Sequence, residues 1–213
     1  HRHSSAASDV YKRQVLEVMA SDPRFCRYLD MPFQHISDPV LKKMNRKITR
    51  KEIEATMARV RRKLPDVAWR TTFIVGFPTE TDQDFEELVD YVSEGHFQHL
   101  GIFLYSDEDN IRSSKFGDPI PLSLKEERKN RLMEIQQKIS REYHQKMVGS
   151  LQQVLVGGFS SETDLLLEGR NQYQGPEVDG VVYINEGNAT SAGLHQVEIT
   201  EAHEYDLVGK ILN

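Results

Sequence analysis

The chain has 213 residues, 38% of them hydrophobic and 28% charged, which leaves room for one or two domains and enough apolar content to bury a core. Its apolar runs, such as Gly101-Ile102-Phe103-Leu104-Tyr105, are strand-sized; neither a membrane-spanning helix nor a signal peptide is expected, and a cytoplasmic location fits best. The single cysteine, Cys26, excludes an internal disulfide framework and a metal site built from cysteines, and is expected to be a buried packing residue; no metal ligand is assigned.

In chain order, residues 1–14 (HRHSSAASDVYKRQ) lack periodicity and are expected to be a non-native or disordered arm. Val15 to Ala20 reads as a helix stopped by Ser21-Asp22-Pro23, and Tyr28 to Phe33 as a short strand that opens into Gln34-His35. These two polar groups suit a polar ligand, but the pattern slightly favours a solvated turn. Thr49-Arg50-Lys51-Glu52 is a capping box, and Ile53, Met57, Val60 and Leu64 follow at helical spacing. The run Arg70 to Glu80 (RTTFIVGFPTE) then reads as a buried strand, a tight turn and, from about Asp82 to Glu94, a helix with Phe85, Leu88, Val89 and Val92 facing inward. Gly76 at the strand's end lets a ligand approach the main chain, and in parallel α/β folds that end is where sites are built; the same run also reads as an ordinary core strand and turn.

Gln98 to Tyr105 is a third buried strand, and His96 and His99 are read as ordinary surface histidines rather than ligands. Ser123-Leu124-Lys125-Glu126 reads as a second capping box opening a long helix with Leu124, Leu132, Ile135, Ile139 and Met147 as its inner stripe. Strand and helix thus alternate three times, which predicts parallel strands with right-handed crossovers. Beyond Ser150 the pattern changes to five short strand candidates separated by Gly, Asn, Pro and Ser clusters, which predicts a small barrel of OB-like size. From Leu151 onward ten carboxylates face only Arg170 and Lys210, a formal −8 within a chain of −6. An acidic barrel is a poor grip on phosphate; it solubilises, or it meets a basic protein.

Leu29-Asp30-Met31-Pro32-Phe33-Gln34-His35-Ile36-Ser37, then Arg70 to Thr81, Leu100-Gly101-Ile102-Phe103, Tyr105-Ser106 and Lys125-Glu126-Glu127-Arg128 through Gln136-Gln137 resemble the second half of the radical S-adenosylmethionine (SAM) barrel of the methylthiotransferases. Gly169-Arg170 followed by Pro176-Glu177-Val178-Asp179-Gly180-Val181-Val182-Tyr183-Ile184 resembles a TRAM domain of the RimO type more than of the tRNA-modifying MiaB type. The resemblance implies an α/β chain, a partial (β/α) radical SAM barrel half over 15–149 followed by a small all-β TRAM barrel over 150–213. It implies a transferase that methylthiolates an aspartate of a basic small-subunit ribosomal protein using S-adenosylmethionine and 4Fe-4S clusters, monomeric when complete, with RNA the less favoured partner. Gln34, Ile74, Val75, Gly76, Phe77, Tyr105 and Ser106 are then the expected cofactor-binding residues, and Glu177 and Asp179 the expected substrate contacts. No catalytic residue is assigned. A side chain added at Gly76 is expected to enter the adenine wall and lower cofactor affinity before it affects folding.

The family's C-x3-C-x2-C triad and its N-terminal cluster domain are absent from this sequence, so the chain alone is expected to be inactive. The loop after Tyr105-Ser106 reads Asp109-Asn110-Ile111, and Thr79 stands where glycine is frequent. A different barrel enzyme using the same strand ends, a MiaB-type fragment and a non-catalytic protein-binding module remain open alternatives.

Overall fold

A computed structural model describes residues 14–107, 117–187 and 192–212; the arm before Gln14 and the Asp109-Asn110-Ile111 segment lie outside the described residues. After a helix over 14–21 (α1), strands β1 (Tyr28–Asp30), β2 (Ala68–Val75) and β3 (His99–Leu104) form one sheet in that order, both pairs parallel. The register puts Asp30 beside Arg70, Arg70 beside His99 and Ile74 beside Phe103. Alternation along β2 buries Trp69, Thr71, Phe73 and Val75 in a helical layer and leaves Arg70, Thr72 and Ile74 half-buried on the other face.

That layer is built by α3 (Arg50–Lys63) and α4 (Asp82–Ser93), with a one-and-a-half-turn helix α2 (Asp38–Lys43) that sequence periodicity does not reveal because it is too short. Ile53, Met57 and Val60 from α3 and Phe85, Leu88 and Val92 from α4 enclose Trp69, Phe73 and Val75 in the main core. Both helices open on capping boxes, Thr49 with Glu52 and Thr81 with Asp84. At α4 the Asp84 amide donates to Thr81 Oγ1 (3.2 Å) while the Thr81 amide donates to Asp84 Oδ2 (2.9 Å). Thr81→Ala should therefore cost about 1 kcal/mol, read as a lower urea midpoint at unchanged slope. Gly95, at φ +73°, follows the C-terminal end of α4 as its sequence position suggests.

The long helix α5 (Leu122–Gln145) departs from expectation twice. Pro121 is its N-cap, and the Pro121 carbonyl takes the amides of Leu124 (3.1 Å) and Lys125 (3.2 Å), so Ser123 already lies inside the first turn and caps nothing. Its buried face is Lys125, Arg128, Leu132, Gln136, Ser140 and His144, whereas Leu124, Ile135 and Ile139 are only half-buried. Leu132 joins the main core, and the face is polar where it meets backbone carbonyls and a buried carboxylate. Gln136 Nε2 donates to the carbonyls of Phe97 and Gln98 (3.1 Å each), and His144 Nδ1 lies 3.2 Å from the His203 carbonyl.

Strands β4 (Leu151–Phe159), β5 (Leu167–Asn171), β6 (Val182–Glu186), β7 (Gly193–Ala202) and β8 (Leu207–Ile211) close a barrel in the order β4-β5-β6-β8-β7. Val154, Val156, Val182, Ile184, Val197, Ile199 and Leu207 fill it. Within the barrel β6 and β8 pair in parallel and the other described pairs are antiparallel, and closure leaves none of its described strands with a free edge. No helix among the described residues is long and apolar enough to cross a membrane.

Candidate functional site

The C-terminal ends of β1, β2 and β3 converge, and they carry every residue expected to hold a cofactor. The Gln34 amide donates to the Thr72 carbonyl (2.9 Å) and the Ile74 amide to the Gln34 carbonyl (2.8 Å), which lays Gln34, in a left-handed conformation at φ +75°, against β2. The Tyr105 amide donates to the Val75 carbonyl (2.9 Å), bringing the end of β3 alongside. Gln34 and Ile74 are half-buried and Ser106 is exposed, so these three line the open side. Val75, Phe77 and Tyr105 are buried, the last two in an edge-to-face pair with ring centroids 5.3 Å apart and Val40 packed against them. They support the wall from behind instead of presenting side chains to a ligand.

The turn itself is held by groups that sequence reading left without a role. Glu80, its side chain fully buried, accepts from the Gly76 amide (2.7 Å) and the Phe77 amide (3.2 Å), and its other oxygen from Arg128 Nη1 (2.8 Å). Arg128 Nη2 also donates to the exposed Asp82 (2.6 Å). Burial pushes the Glu80 carboxyl up, opposed first by the Arg128 charge and then by the two amides. Lys125 lies over the turn and donates to the Tyr105 carbonyl (2.8 Å) and to Asp118 (2.6 Å). The signal for both cations was present in the Lys125 to Arg128 run, but spacing alone did not show that they point inward.

His35 is fully buried, not in a solvated turn: its Nδ1 accepts from the Ser37 amide (3.0 Å), and its Nε2 stands 3.9 Å from Glu80. Burial lowers its pKa to about 4, against the pull of Asp84, so it is neutral at pH 7. Ser37 in turn donates to Asp84.

Away from the strand ends, three further expectations are corrected. Cys26 is exposed, in the connection between α1 and β1, where no core reaches it. His99 is buried, with Nε2 2.8 Å from the Tyr173 carbonyl, because the barrel covers it. His96 is half-buried, its Nε2 2.6 Å from Glu94 and its ring 4.7 Å from that of Tyr91. Of the two expected substrate contacts, Glu177 is exposed at φ +65°, while the Asp179 side chain is 3% exposed and occupied within the molecule. Its carboxylate accepts from the Tyr28 hydroxyl (2.7 Å) and the Gly175 amide (2.8 Å) and lies 3.4 Å from Arg70 Nε, so it cannot also meet a substrate. No group of three or more His, Cys, Asp or Glu that could hold a metal ion is gathered among the described residues.

The profile described as "Radical SAM superfamily" matches residues 3–92, taking in most of the arm set aside above, and that described as "TRAM domain" matches residues 148–212. The chain is similar to the ribosomal protein uS12 methylthiotransferase RimO of Bdellovibrio bacteriovorus (47% identical over 96% of this chain and 45% of the relative). It is likewise similar to the RimO proteins of Desulfotalea psychrophila (45% identical; 94% and 45%) and Geobacter sulfurreducens (42%; 93% and 44%). The chain thus spans about half the length of the curated relatives it matches.

Proposed function

The chain belongs to the RimO-type radical SAM methylthiotransferases, and on that premise we propose that it supplies one wall of the S-adenosylmethionine chamber and the substrate-reading barrel of an enzyme that methylthiolates an aspartate of uS12. The single observation that carries this reading is the similarity to RimO proteins over almost the whole chain, strand ends and barrel included.

In this reading Gln34, Ile74 and Ser106 contact the cofactor, and Gly76, Val75, Phe77 and Tyr105 shape the wall against which its adenine lies. They suit a wall better than a cage, since only the first three reach the open side. Bound there, S-adenosylmethionine would supply the methyl group and the hydrogen-abstracting species. The chain's own task is orientation: Glu80 fixes the Gly76-Phe77 turn through two amides, Arg128 neutralises Glu80, and Lys125 closes the turn from above. One exposed thiol is not a donor set for an iron-sulfur cluster, so in this reading the cluster's ligands belong to the part of the relatives that this chain does not span.

For the barrel, the formal −8 from Leu151 onward favours a Lys- and Arg-rich protein over RNA. Exposed pairs contribute only about 0–1 kcal/mol each, so several carboxylates must act together, with the exposed Glu177 among them. Binding of this chain to uS12 should weaken at least tenfold between about 0.01 M and about 1 M salt, as the screening length falls from about 30 to about 3 Å. A tRNA anticodon stem-loop measured in parallel should bind more weakly than uS12 at every salt concentration. The enzymatic reading is tested by grafting residues 14–212 into the corresponding stretch of the Bdellovibrio relative. Deoxyadenosine release with a mass gain on uS12 is expected, and modification of tRNA with uS12 untouched would overturn the assignment in favour of the MiaB type.

A further inference from the structure

The Asp179 carboxylate lies where the barrel meets the sheet. The loop 175–180 between β5 and β6 reaches across the half-buried face of the sheet, at the end opposite the candidate cofactor wall. Oδ2 accepts the hydroxyl of Tyr28 on β1 (2.7 Å) and the amide of Gly175 in its own loop (2.8 Å). Oδ1 lies 3.4 Å from Nε of Arg70 on β2, at ion-pair distance though without hydrogen-bond alignment, and Arg70 Nη1 also reaches Asp30 on β1 (3.2 Å). The third strand joins through His99. Burial lowers its pKa, so it is neutral near pH 7, and with Nε2 donating to the Tyr173 carbonyl (2.8 Å) it ties the turn that follows β5 to β3. Its Nδ1, 3.5 Å from Asp179, is then a lone pair in proximity and not a donor.

Local sequence is fitted to this seat. A Cβ at Gly175 would stand 2.5 Å from the Tyr28 hydroxyl and 3.0 Å from Asp179 Oδ2, so only glycine admits the approach. Burial, with the adjacent Asp179 second, pushes the Tyr28 pKa up, so the phenol remains a donor throughout the physiological range. Beyond the seat, Pro176, Glu177 and Val178 are all exposed, with Glu177 in the left-handed region. The carboxylate thus closes the base of a loop whose tip faces solvent, and the same carboxylate fastens that base to the sheet.

We propose that Asp179 is a positioning residue, the bolt that seats the terminal barrel on the β1–β2–β3 sheet and so fixes where a basic protein held by the barrel is presented to the strand ends. The second half of this statement rests on the functional reading above; the first half does not. Asp179 touches neither cofactor nor substrate in this role.

Two arms separate the two halves. In the full chain, hydrogen exchange is followed in Asp179→Ala and in the milder Tyr28→Phe, which removes one sheet-side donor and leaves the loop intact. Both variants should speed exchange at 175–181 and at 28–30, at least tenfold for Asp179→Ala, with the barrel amides of Val154 and Val197 unchanged. Unchanged exchange at 175–181, or equal acceleration at Val154 and Val197, would overturn the seat. In the active graft, Asp179→Ala should raise the KM for uS12 at least fivefold while uS12-independent deoxyadenosine release stays at the parental rate. An unchanged KM, or equal loss of both activities, would overturn the positioning role. A parental graft without methylthiolation is a failure of the functional reading, and the exchange experiment then decides the seat alone.

Discussion

Arg128→Met should lower the stability of the chain by about 3–5 kcal/mol at pH 7, the cost of leaving one member of a buried ion pair without its partner. The Glu80 side chain is fully buried and that of Arg128 only 4% exposed, so water replaces neither group. Methionine keeps most of the apolar stem that packs beside Phe85, whose ring lies 5.1 Å from the guanidinium, and removes the charge together with its hydrogen bonds. The lost contact to Asp82 adds little, because that carboxylate is 93% exposed. The deficit should also depend on pH. Burial already raises the Glu80 pKa in the folded state, and Arg128 is the largest influence pulling it back down, so its removal raises the folded value further. A folded pKa above the unfolded one means that the native state binds the proton more readily, and stability grows as pH falls through that interval. Urea midpoints should therefore show a smaller deficit near pH 5 than at pH 7, and Glu80→Gln in the Arg128→Met background should recover much of the loss at pH 7. An identical deficit at both pH values would remove Glu80 from the explanation.

The buried pair illustrates what the sequence discloses and what it withholds. The three parallel strands and the five-stranded barrel were legible because short apolar runs are broken by clusters of Gly, Pro, Asn, Asp and Ser, and such punctuation is local. The expected cofactor residues do converge, since residues at the ends of adjacent parallel strands must be neighbours. The inner face of α5 was not legible: periodicity looks for apolar side chains, whereas this helix meets carbonyls and a carboxylate, and Lys125, Arg128, Gln136 and His144 answer them. Asp179 was misread for a related reason. Its partner Tyr28 is 151 residues away in sequence, and nothing within the Pro176 to Gly180 run tells a carboxylate that faces solvent from one that is clasped. Glu177, two residues earlier, has the same composition around it and the opposite fate.

Gly76→Val is expected to fail in folding before it fails in cofactor binding, the reverse of what the strand-end position alone suggests. Gly76 sits at φ +75°, a conformation that costs a β-branched residue about 1–3 kcal/mol. A Cβ there would stand 2.3 Å from Cγ and 2.7 Å from Cδ of Lys125. That stem is not a loose end. Its ammonium is pinned to the Tyr105 carbonyl (2.8 Å) and to Asp118 (2.6 Å), so making room means breaking those bonds or overpacking the turn, about a further 1–3 kcal/mol. The glycine is thus required first by Lys125, and through Lys125 by the seam between β2, β3 and α5. Gly76→Ala carries both costs, the backbone strain and the clash, without the added branch. Combined with Lys125→Ala, it should be less destabilising than the sum of the two single changes, since the stem that the new methyl strikes is gone. Chemical denaturation of the four proteins measures the coupling directly. Strict additivity, or a Gly76→Val chain as stable as the parent, would mean that Lys125 yields without cost, and would return Gly76 to the cofactor as the reason for its identity.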